Sequence, residues 1–338
     1  MNKYSILEKN MEDSFGRSVK KLRISVTDRC NMRCIYCMPF NNTTWFKQDN
    51  ILSYNQIIRI TKIFAALGIE KIKITGGEPT IRPQLDELVK SLACINGIKS
   101  ISMTTNGLLL KDKIIKLKEA GIESVNISLD TFNSNKFKSM TGIEGGLDTV
   151  LDSINLANEA GLKVKINTVV MKGWNDDEIE NFVQFARQTG IIVKFIEFMP
   201  LDGTGIWNNN LVISKREMIQ LINAKIKKTV PLENDSADPA RLYSFSDNKG
   251  VIGFIPSITE PFCQNCDRIR ITSEGKVHTC LFDKKGYDLK KLIQEGKSDE
   301  DIKKYIIETL KKKPEGIISI IKSNSLKPSL NAMHTIGG

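Results

Sequence analysis

The pattern of apolar and polar positions between Leu22 and Met199 repeats in a regular way. Short runs rich in β-branched residues alternate with longer stretches in which apolar residues recur every three or four positions. The short runs predict buried or half-buried strands, and the longer stretches predict amphipathic helices. The predicted strands are LRISVT, KIKIT, SISMTT, SVNISLD, KVKINTVV and IVKFIEFM.

The predicted helices lie between these strands and carry their own start and stop signals. The stretch SYNQIIRITKIFAALG begins with Ser53, whose hydroxyl can cap the first turn, and ends at Gly68, which favours termination. Further helices are predicted over QLDELVKSLAC, KDKIIKLKEAG, LDTVLDSINLANEAG and DDEIENFVQFARQTG. This succession of strand–helix units predicts a parallel sheet with helices outside it.

Six predicted strands are two short of a closed eight-stranded barrel. The chain is therefore expected to be an α/β protein, with either a curved, partly open barrel or an open doubly wound sheet. After Met199 the alternation stops, and PLDGTGIWNNN has the composition of a linker. We predict two domains, residues 1–200 with the sheet and residues 201–338 as a smaller, less regular unit.

Polar residues follow the predicted strands at their C-terminal ends, where both sheet architectures place an active site. These residues are Thr75-Gly76-Gly77-Glu78, Thr104-Thr105-Asn106, Ser128 with Asp130, Asn167-Thr168, and Glu197 through Met199. Ordinary turn chemistry would also put polar residues there. A site is nevertheless expected, because the first predicted strand leads directly into a cluster of cysteines at the same edge.

Cys30, Cys34 and Cys37 form a C-x3-C-x2-C loop after the first predicted strand. A structural zinc site normally needs a fourth ligand, and no histidine lies near this loop. Disulfides would leave one thiol unpaired. Three thiolates on a four-iron cluster leave one iron open to a small molecule, and the spacing favours this arrangement.

A second set of cysteines lies in the C-terminal part, with Cys263 and Cys266 in PFCQNCDRIR and Cys280 in HTC. A zinc knuckle with His278 as the fourth ligand is one interpretation. The other is a second three-cysteine iron–sulfur cluster with an open iron, which would bind or reduce a substrate. Cys94 has no partner motif and is predicted to be a buried apolar residue.

Composition and charge narrow the class of protein. The 338 residues include 49 Lys and Arg against 39 Asp and Glu, a formal charge of +10 that fits a lysine-rich surface, nucleic acid or an anionic small molecule. No apolar run approaches the ~20 residues that cross a bilayer, and the N-terminal sequence lacks a signal-peptide core. We expect a cytoplasmic protein whose clustered thiols stay reduced.

The first cysteine loop resembles that of the radical S-adenosylmethionine superfamily, including Tyr36 before its last cysteine. The stretch TGGEP after the second predicted strand resembles the second motif of that superfamily, where Gly76 and Gly77 permit close backbone approach. The resemblance implies that an incomplete (βα)6 TIM-like barrel holds a 4Fe–4S cluster. It also implies that S-adenosylmethionine chelates the open iron and yields a 5′-deoxyadenosyl radical.

Within that superfamily the chain resembles the GTP-cyclising family of molybdenum cofactor (molybdopterin) biosynthesis, nearly from end to end. The motifs are LRISVTDRCNMRCIYCMP, KITGGEPTIR, MTTNG, VNISLDT, KINTVVMKG, FIEFMP, FCQNCDRIRITSEGKVHTCLF and the terminal IGG. The implied reaction converts GTP to (8S)-3′,8-cyclo-7,8-dihydroguanosine 5′-triphosphate. The implied cofactors are two 4Fe–4S clusters and S-adenosylmethionine.

The resemblance also implies roles for individual residues. The cluster ligands would be Cys30, Cys34 and Cys37, and Cys263, Cys266 and Cys280. S-adenosylmethionine would contact Tyr36, Gly77, Ser128 and Met199. GTP would contact Arg23, Lys73, Thr104, Lys165, Arg268 and Arg270. Catalytic roles would fall to Arg268 and Arg270, one of them as proton donor, and to the tail Gly337-Gly338.

The basic residues of this set also have a physical rationale. Arg23, Lys73 and Lys165 lie near the ends of predicted strands, and alternation points them to the interior face. An inward cation is costly unless it is paired, and a triphosphate would supply the partner. Arg268 and Arg270, two residues apart, would share one face of a strand. Ordinary surface charge and structural salt bridges are the alternatives for these residues.

The expected partners are GTP, an electron donor of the flavodoxin or ferredoxin type and the next enzyme of the molybdopterin pathway. No membrane and no stable nucleic-acid partner is expected, and the chain is expected to be a monomer or a homodimer. Two alternatives stay open. One is a radical enzyme that modifies a peptide or tRNA, and the other is a zinc-binding interaction protein without chemistry.

Overall fold

The computed structural model describes residues 11–38, 45–201, 205–283, 286–322 and 333–337. The predicted alternation is present between Lys21 and Glu197. The strands are β1 Lys21–Ser25, β2 Lys71–Thr75, β3 Ser100–Thr105, β4 Ile122–Ser128, β5 Lys163–Val170 and β6 Ile192–Glu197. The helices are α1 Tyr54–Ala66, α2 Leu85–Ala93, α3 Ile114–Ala120, α4 Ser134–Thr141, α5 Leu147–Glu159 and α6 Ile179–Thr189.

The C-terminal part contributes shorter elements. Its strands are β7 Thr229–Pro231, β8 Arg241–Phe245, β9 Ile252–Ile255, β10 Arg268–Ile271, β11 Lys276–His278 and β12 Tyr287–Asp288. Its helices are α7 Lys215–Lys225, α8 Leu289–Gln294, α9 Asp299–Leu310, α10 Ile317–Lys322 and α11 Met333–Ile336.

Local signals explain where several helices begin and end. Ser53 caps α1 as predicted, with its side chain accepting from the Gln56 backbone N–H in a reciprocal capping box. Gly68 follows the end of α1 with a φ of 107°. Helix α4 was not predicted, because only Phe137 and Met140 provide apolar contacts in this short polar stretch.

All twelve strands of the described residues belong to one sheet, in the order β12-β11-β10-β1-β2-β3-β4-β5-β6-β9-β8-β7. Strands β1 to β6 are parallel neighbours, and the two ends of the order do not pair with each other. The sheet is therefore an α/β half-barrel that stays open, as predicted.

The two faces of the parallel strands differ in chemistry. Residues such as Leu22, Ile72 and Val193 are fully buried and join one large apolar core with the helices. The alternate positions are half-buried and polar, including Arg23 and Lys73, which are direct neighbours across β1 and β2. The concave face of the half-barrel is therefore polar and basic, as period-two alternation dictates.

C-terminal strands extend both edges of the six-stranded sheet. Strand β10 pairs in parallel with β1, and β9 pairs in parallel with β6. At the β9 edge the rings of Phe195 and Phe254 are stacked with centroids 5.7 Å apart. Both cysteine-bearing segments are thereby brought to the same end of the sheet.

Among the described helices, none combines the length and the apolar character that a membrane crossing requires. Cys94 follows the last residue of α2 and is exposed, so the prediction that it is buried is wrong. The buried face of α2 consists of Leu85, Leu88, Val89 and Leu92, and Cys94, two residues after Leu92, lies on the opposite side.

Candidate active site

The first cysteine loop leaves β1 and is tied to the neighbouring loops by its backbone. The N–H groups of Arg33 and Ile35 donate to the carbonyls of Thr141 and Met140, at 2.8 and 2.9 Å. The N–H groups of Cys37 and Met38 both donate to the Cys34 carbonyl, forming a tight turn. The loop is therefore held by the C-terminal end of α4, an element that the sequence did not predict.

The glycine turn after β2 packs directly on this loop. The Gly77 N–H donates to the Thr27 carbonyl at 2.7 Å, and the Glu78 N–H donates to the Arg29 carbonyl at 2.7 Å. A Cβ atom on Gly77 would lie 2.3 Å from the Arg29 carbonyl oxygen. Only glycine fits here, since any side chain would push the two loops apart.

Glu78 is a buried carboxylate that joins the C-terminal ends of β2 and β3. It is 1% exposed, and its carboxylate accepts from the Thr80 and Thr105 hydroxyls and from the backbone N–H of Asn106. Burial raises the pKa of Glu78, and these donors act in the opposite direction. Asn106 in turn donates to Asn31 in the cysteine loop at 2.7 Å. The ends of β2 and β3 are thereby locked to the loop.

Tyr36 and Asp130 form a further link, which joins the first cysteine loop to the segment after β4. The Tyr36 hydroxyl donates to Asp130 Oδ2 at 2.5 Å, and the Val169 N–H donates to Oδ1 at 2.8 Å. Burial raises the pKa of Asp130 to about 6. This carboxylate fixes the residue that precedes the last cysteine of the loop.

The second cysteine loop lies between β9 and β10. The Cys266 N–H donates to the Cys263 carbonyl at 3.2 Å, and Cys280 follows β11. Arg268 opens β10 and places Nη2 at 3.5 Å from Cys266 Sγ. Because β10 pairs with β1, Arg270 lies directly beside Arg23 in the sheet register.

Both cysteine triads line one cavity of about 310 Å³ at the C-terminal ends of the parallel strands. This volume lies within the ~300–1,000 Å³ that is typical of small-molecule sites. The same cavity is lined by the predicted contacts Arg23, Tyr36, Gly77, Thr104, Ser128, Met199, Arg268 and Arg270.

Lys73 and Lys165 are not among the residues that line this cavity. They lie deeper on the concave face, at positions that pair with Arg23 and Asn126 of the neighbouring strands. Burial lowers the pKa of Lys73 well below its usual value, and the charge of Arg23 acts in the same direction. A set of like charges therefore extends from the cavity toward the floor of the half-barrel.

Lys194 on β6 belongs to this cationic set and was missed in the sequence. It pairs in register with Asn167, a residue that lines the cavity. Burial lowers the pKa of Lys194 to about 8, and the charge of Lys165 adds to the effect. The alternation that identified Lys165 also applies to IVKFIEFM, so the signal was present.

The C-terminal tail reaches this site. His334 and Met333 line the cavity, and Arg270 Nη1 donates to the Gly337 carbonyl at 2.9 Å. Gly337 has a φ of 76°, and a Cβ there would lie 2.6 Å from Thr75 Oγ1. Gly338 lies outside the described residues.

The thiols fit iron–sulfur clusters better than single metal ions. No three His, Cys, Asp or Glu side chains in the described ranges are arranged to hold one ion. The His278 ring is turned away, with Nδ1 3.1 Å from the Asp283 carbonyl. In a cluster each thiolate binds a different iron, so the sulfurs do not need to meet at one point.

The charge around the two triads differs. Burial raises the pKa of Cys30 to about 11 and that of Cys37 to about 12. Burial acts on Cys266 too, but the charges of Arg268 and Lys313 outweigh it and lower the pKa to about 7. Burial raises the pKa of Cys280 to about 11, so within the second triad these charges favour thiolate at Cys266.

Comparison with known proteins identifies the superfamily to which this fold and site belong. Residues 24–186 match the sequence model of the Radical SAM superfamily, and residues 191–318 match that of Molybdenum Cofactor Synthesis C. SuiB of Streptococcus suis has a similar fold, with a TM-score of 0.56 at 19% identity over 78% of this chain and 61% of that chain. The half-barrel and the first cysteine loop are thus those of the Radical SAM superfamily.

Two relatives match along almost the whole chain. The GTP 3′,8-cyclase of Thermodesulfovibrio yellowstonii is 44% identical over 97% of this chain and 100% of that protein. The GTP 3′,8-cyclase of Clostridium botulinum strain Langeland is 41% identical over the same shares. The chain belongs to the GTP 3′,8-cyclase family. The resemblance found in the sequence is confirmed.

Proposed function

We propose that the protein converts GTP to (8S)-3′,8-cyclo-7,8-dihydroguanosine 5′-triphosphate, a step of molybdenum cofactor biosynthesis. The observation that carries this proposal is the shared cavity, which two cysteine triads and three arginines line together. When bound, two 4Fe–4S clusters and S-adenosylmethionine would supply the radical that removes hydrogen from the ribose 3′ carbon and the one electron that, with a proton, completes the product after this carbon bonds to carbon 8 of guanine. The chain's own residues bind and orient the reactants and exclude water from the cavity.

The cofactor side of the cavity is formed by the first cysteine loop and the glycine turn. Tyr36, Gly77, Ser128 and Met199 line this side, and we assign them to S-adenosylmethionine. The close packing of Gly77 on the loop fixes the backbone groups that meet the cofactor. Rigid placement of both reactants in one cavity supplies most of what a protein contributes to such a reaction.

The nucleotide side is basic. Arg23, Arg268 and Arg270 line the cavity, and we assign these three, Thr104 and the deeper Lys73 and Lys165 to GTP. Several buried like charges in one place are unfavourable unless an anion joins them, and a triphosphate carries the matching charge. Arg268 or Arg270 would hold the proton that completes the product.

The tail and the domain division belong to the same proposal. Gly337 occupies a position in which Arg270 binds its carbonyl, so the tail would shape the nucleotide site. Residues 1–200 would form the domain of the first cluster, and residues 201–338 that of the second. The proposal also includes a flavodoxin- or ferredoxin-type electron donor, the next enzyme of the molybdopterin pathway as a partner, and a monomeric or homodimeric state. A cytoplasmic location is proposed because thiolate-bound clusters need reduced cysteines.

Anaerobic turnover with GTP, S-adenosylmethionine and a reductant tests the assignment. We expect 5′-deoxyadenosine and a cyclised nucleotide in equal amounts, and iron bound at both triads. Alanine at Cys30, Cys34 and Cys37 should abolish both products, while alanine at Cys263, Cys266 and Cys280 should abolish the cyclised nucleotide. A protein that holds zinc without sulfide, or iron without either product, would refute the proposal.

A further inference from the structure

A short segment before α10 packs directly against the second cysteine loop. It comprises Lys313 through Gly316, and none of its residues has been assigned a role above. A Cβ atom on Gly316 would lie 2.6 Å from Cys263 Cβ and 3.0 Å from its Sγ. The segment and the loop are therefore in close contact, with no space for a side chain between them.

Lys313 is the buried charge in this segment. Its side chain belongs to a residue that is only 3% exposed. Its Nζ atom donates to the Arg268 carbonyl at 2.7 Å and to the Cys266 carbonyl at 3.2 Å. One ammonium group thus joins a predicted cluster ligand to a predicted nucleotide contact, on both sides of Asp267.

Arg17 supports the same loop from the other side. Its Nη1 donates to the Cys263 carbonyl at 2.9 Å and to the Glu315 carbonyl at 2.6 Å, and Nη2 donates to the Pro314 carbonyl at 2.7 Å. Its Nε atom lies 2.6 Å from Asp13 Oδ2. The charge of Arg17 is therefore matched by a carboxylate.

Lys313 differs from Arg17 in its charge balance. Within the described ranges, no carboxylate lies within ion-pair distance of its Nζ atom. Its two hydrogen bonds go to backbone carbonyls of the second cysteine loop, which carry no net charge. A buried cation without a counter-charge is unfavourable even when it is hydrogen-bonded, so the fold retains Lys313 at a cost unless an anionic group occupies the second triad.

We propose that Lys313 is a positioning residue of the second cysteine site, where it holds the Cys266–Arg268 backbone and supplies the counter-charge of the cluster bound there. This inference rests on the proposed function, since it takes the second triad as a cluster site. A positive charge beside a cluster stabilises its reduced form, which carries one more negative charge. Lys313 should therefore raise the reduction potential of the second cluster and hold Arg268 in place for the nucleotide.

The test compares Lys313→Met, which keeps the length but removes the charge, with Lys313→Arg, which restores the charge. Lys311→Met is the matched control, because Lys311 is exposed two residues before the segment and the change in net charge is identical. Each full-length chain is loaded anaerobically, and its iron and sulfide are counted. The potential of each cluster follows from a redox titration monitored by electron paramagnetic resonance, with signals assigned from variants in which one triad is replaced by alanine.

We expect Lys313→Met to lower the potential of the second cluster, or to lose its iron, while the first cluster is unchanged. Its kcat/KM for GTP should fall roughly 10- to 100-fold, the usual effect of removing an outer support of a metal site. Lys313→Arg should restore the potential, and Lys311→Met should behave as the native chain.

An unchanged second potential at full iron content in Lys313→Met would overturn the inference. Equal loss of iron from both triads would also overturn it, because the role is assigned to the second site alone. Failure of the native chain to form a cyclised nucleotide while it holds two clusters would instead refute the proposed function, and the potentials would still decide the role of Lys313.

Discussion

The concave face gathers Arg23, Lys73, Lys165 and Lys194 within one half-barrel, and these charges lower the pKa of two of the lysines. Burial and the charges of Arg23, Lys194 and Lys165 lower the pKa of Lys73. Burial, then Lys165, lowers the pKa of Lys194 to about 8. Lys73 and Lys194 therefore hold their protons more weakly than ordinary lysines until an anion arrives, so nucleotide binding and protonation are linked.

The first prediction concerns Lys194 and the pH dependence of GTP affinity. Bound triphosphate favours the charged lysine, so affinity should fall as pH rises above about 8, by up to about tenfold per pH unit. Equilibrium dialysis between about pH 7 and about pH 9 (roughly one unit on either side of that value) measures this decline. Lys194→Met should bind GTP more weakly at the lower pH and show a flatter profile. An equally steep profile in the variant would contradict the assignment.

The second prediction concerns the stability of the protein without nucleotide, which should rise with pH over the range in which GTP affinity falls. Lys194 has a lower pKa in the folded chain than in the unfolded chain, where it is about 10.4. Between those values the unfolded chain binds more protons, so the free energy of unfolding contributed by Lys194 should rise with pH from about 8 upward. Urea unfolding of the native chain and of Lys194→Met at several pH values isolates the contribution of Lys194 to the free energy of unfolding. A native chain that loses stability relative to the variant over that pH range would contradict the prediction.

Residue-level chemistry was only partly predictable from the sequence. Alternation along a strand identified Arg23 and Lys73 as interior cations, and the same rule applies to Lys194. Arg17 and Lys313 carry no such signal. They lie in irregular segments about 300 residues apart. Both hydrogen-bond to the second cysteine loop, and this is apparent only in the folded structure.

At the scale of elements, the contact between the first cysteine loop and the glycine turn fixes the position of that loop at the C-terminal ends of the strands. Two backbone hydrogen bonds of 2.7 Å join them, and Glu78 fixes the adjacent strand ends. The sequence motifs identified both pieces. The support of the cysteine loop by α4 could not be predicted, because that short helix has too few apolar residues to show a periodicity.

The third prediction is that Gly77→Ala damages the S-adenosylmethionine site. The added Cβ would meet the carbonyl oxygens of Arg29 and Asp28 at 2.3 and 2.5 Å, so the two loops must separate. A displacement of about 1 Å commonly costs on the order of 100-fold in rate, and we expect a loss of that size in 5′-deoxyadenosine formation. Gly173→Ala is the control, since nothing lies within 4 Å of its added Cβ, although its φ of 78° brings a backbone strain that Gly77 does not have. Normal turnover by Gly77→Ala would show that the close contact is unimportant.

The fourth prediction concerns the tail element. Gly337→Ala would place a Cβ 2.6 Å from Thr75 Oγ1 and withdraw the carbonyl that Arg270 binds. Formation of the cyclised nucleotide should fall roughly 100-fold, because Arg270 and the nearby strand ends lose their arrangement. Iron content at both triads should stay at the native value. Loss of iron would mean that the tail supports cluster binding rather than nucleotide placement.

At the scale of the whole molecule, one sheet joins the two cysteine-bearing halves of the chain. The fold class and the open barrel were predictable, because alternating strands and helices leave few topologies. The way in which the C-terminal strands add to both edges was not. Strands β9 and β10 are only four residues long and lie in a part of the chain without a regular period.

The fifth prediction addresses the β6–β9 junction. Phe254 is fully buried, stacks on Phe195 and meets the Tyr243 ring edge-on at 5.4 Å. Phe254→Ala should lower the free energy of unfolding by about 3–5 kcal/mol through lost burial and a cavity. Leu221→Ala, on an exposed helical position, should change it by no more than about 0.5 kcal/mol. Urea denaturation measures both, and equal effects would show that the junction adds no stability.

The pairing of β10 with β1 has a consequence for synthesis of the protein. A nascent chain that has emerged as far as Met199 exposes both edges of the six-stranded sheet, and unpaired edges readily recruit other strands. The edge beside β1 is covered only after the ribosome has added Arg268–Ile271. Chaperone protection should therefore matter most during translation of the segment between β6 and β10, before a competent reaction chamber exists.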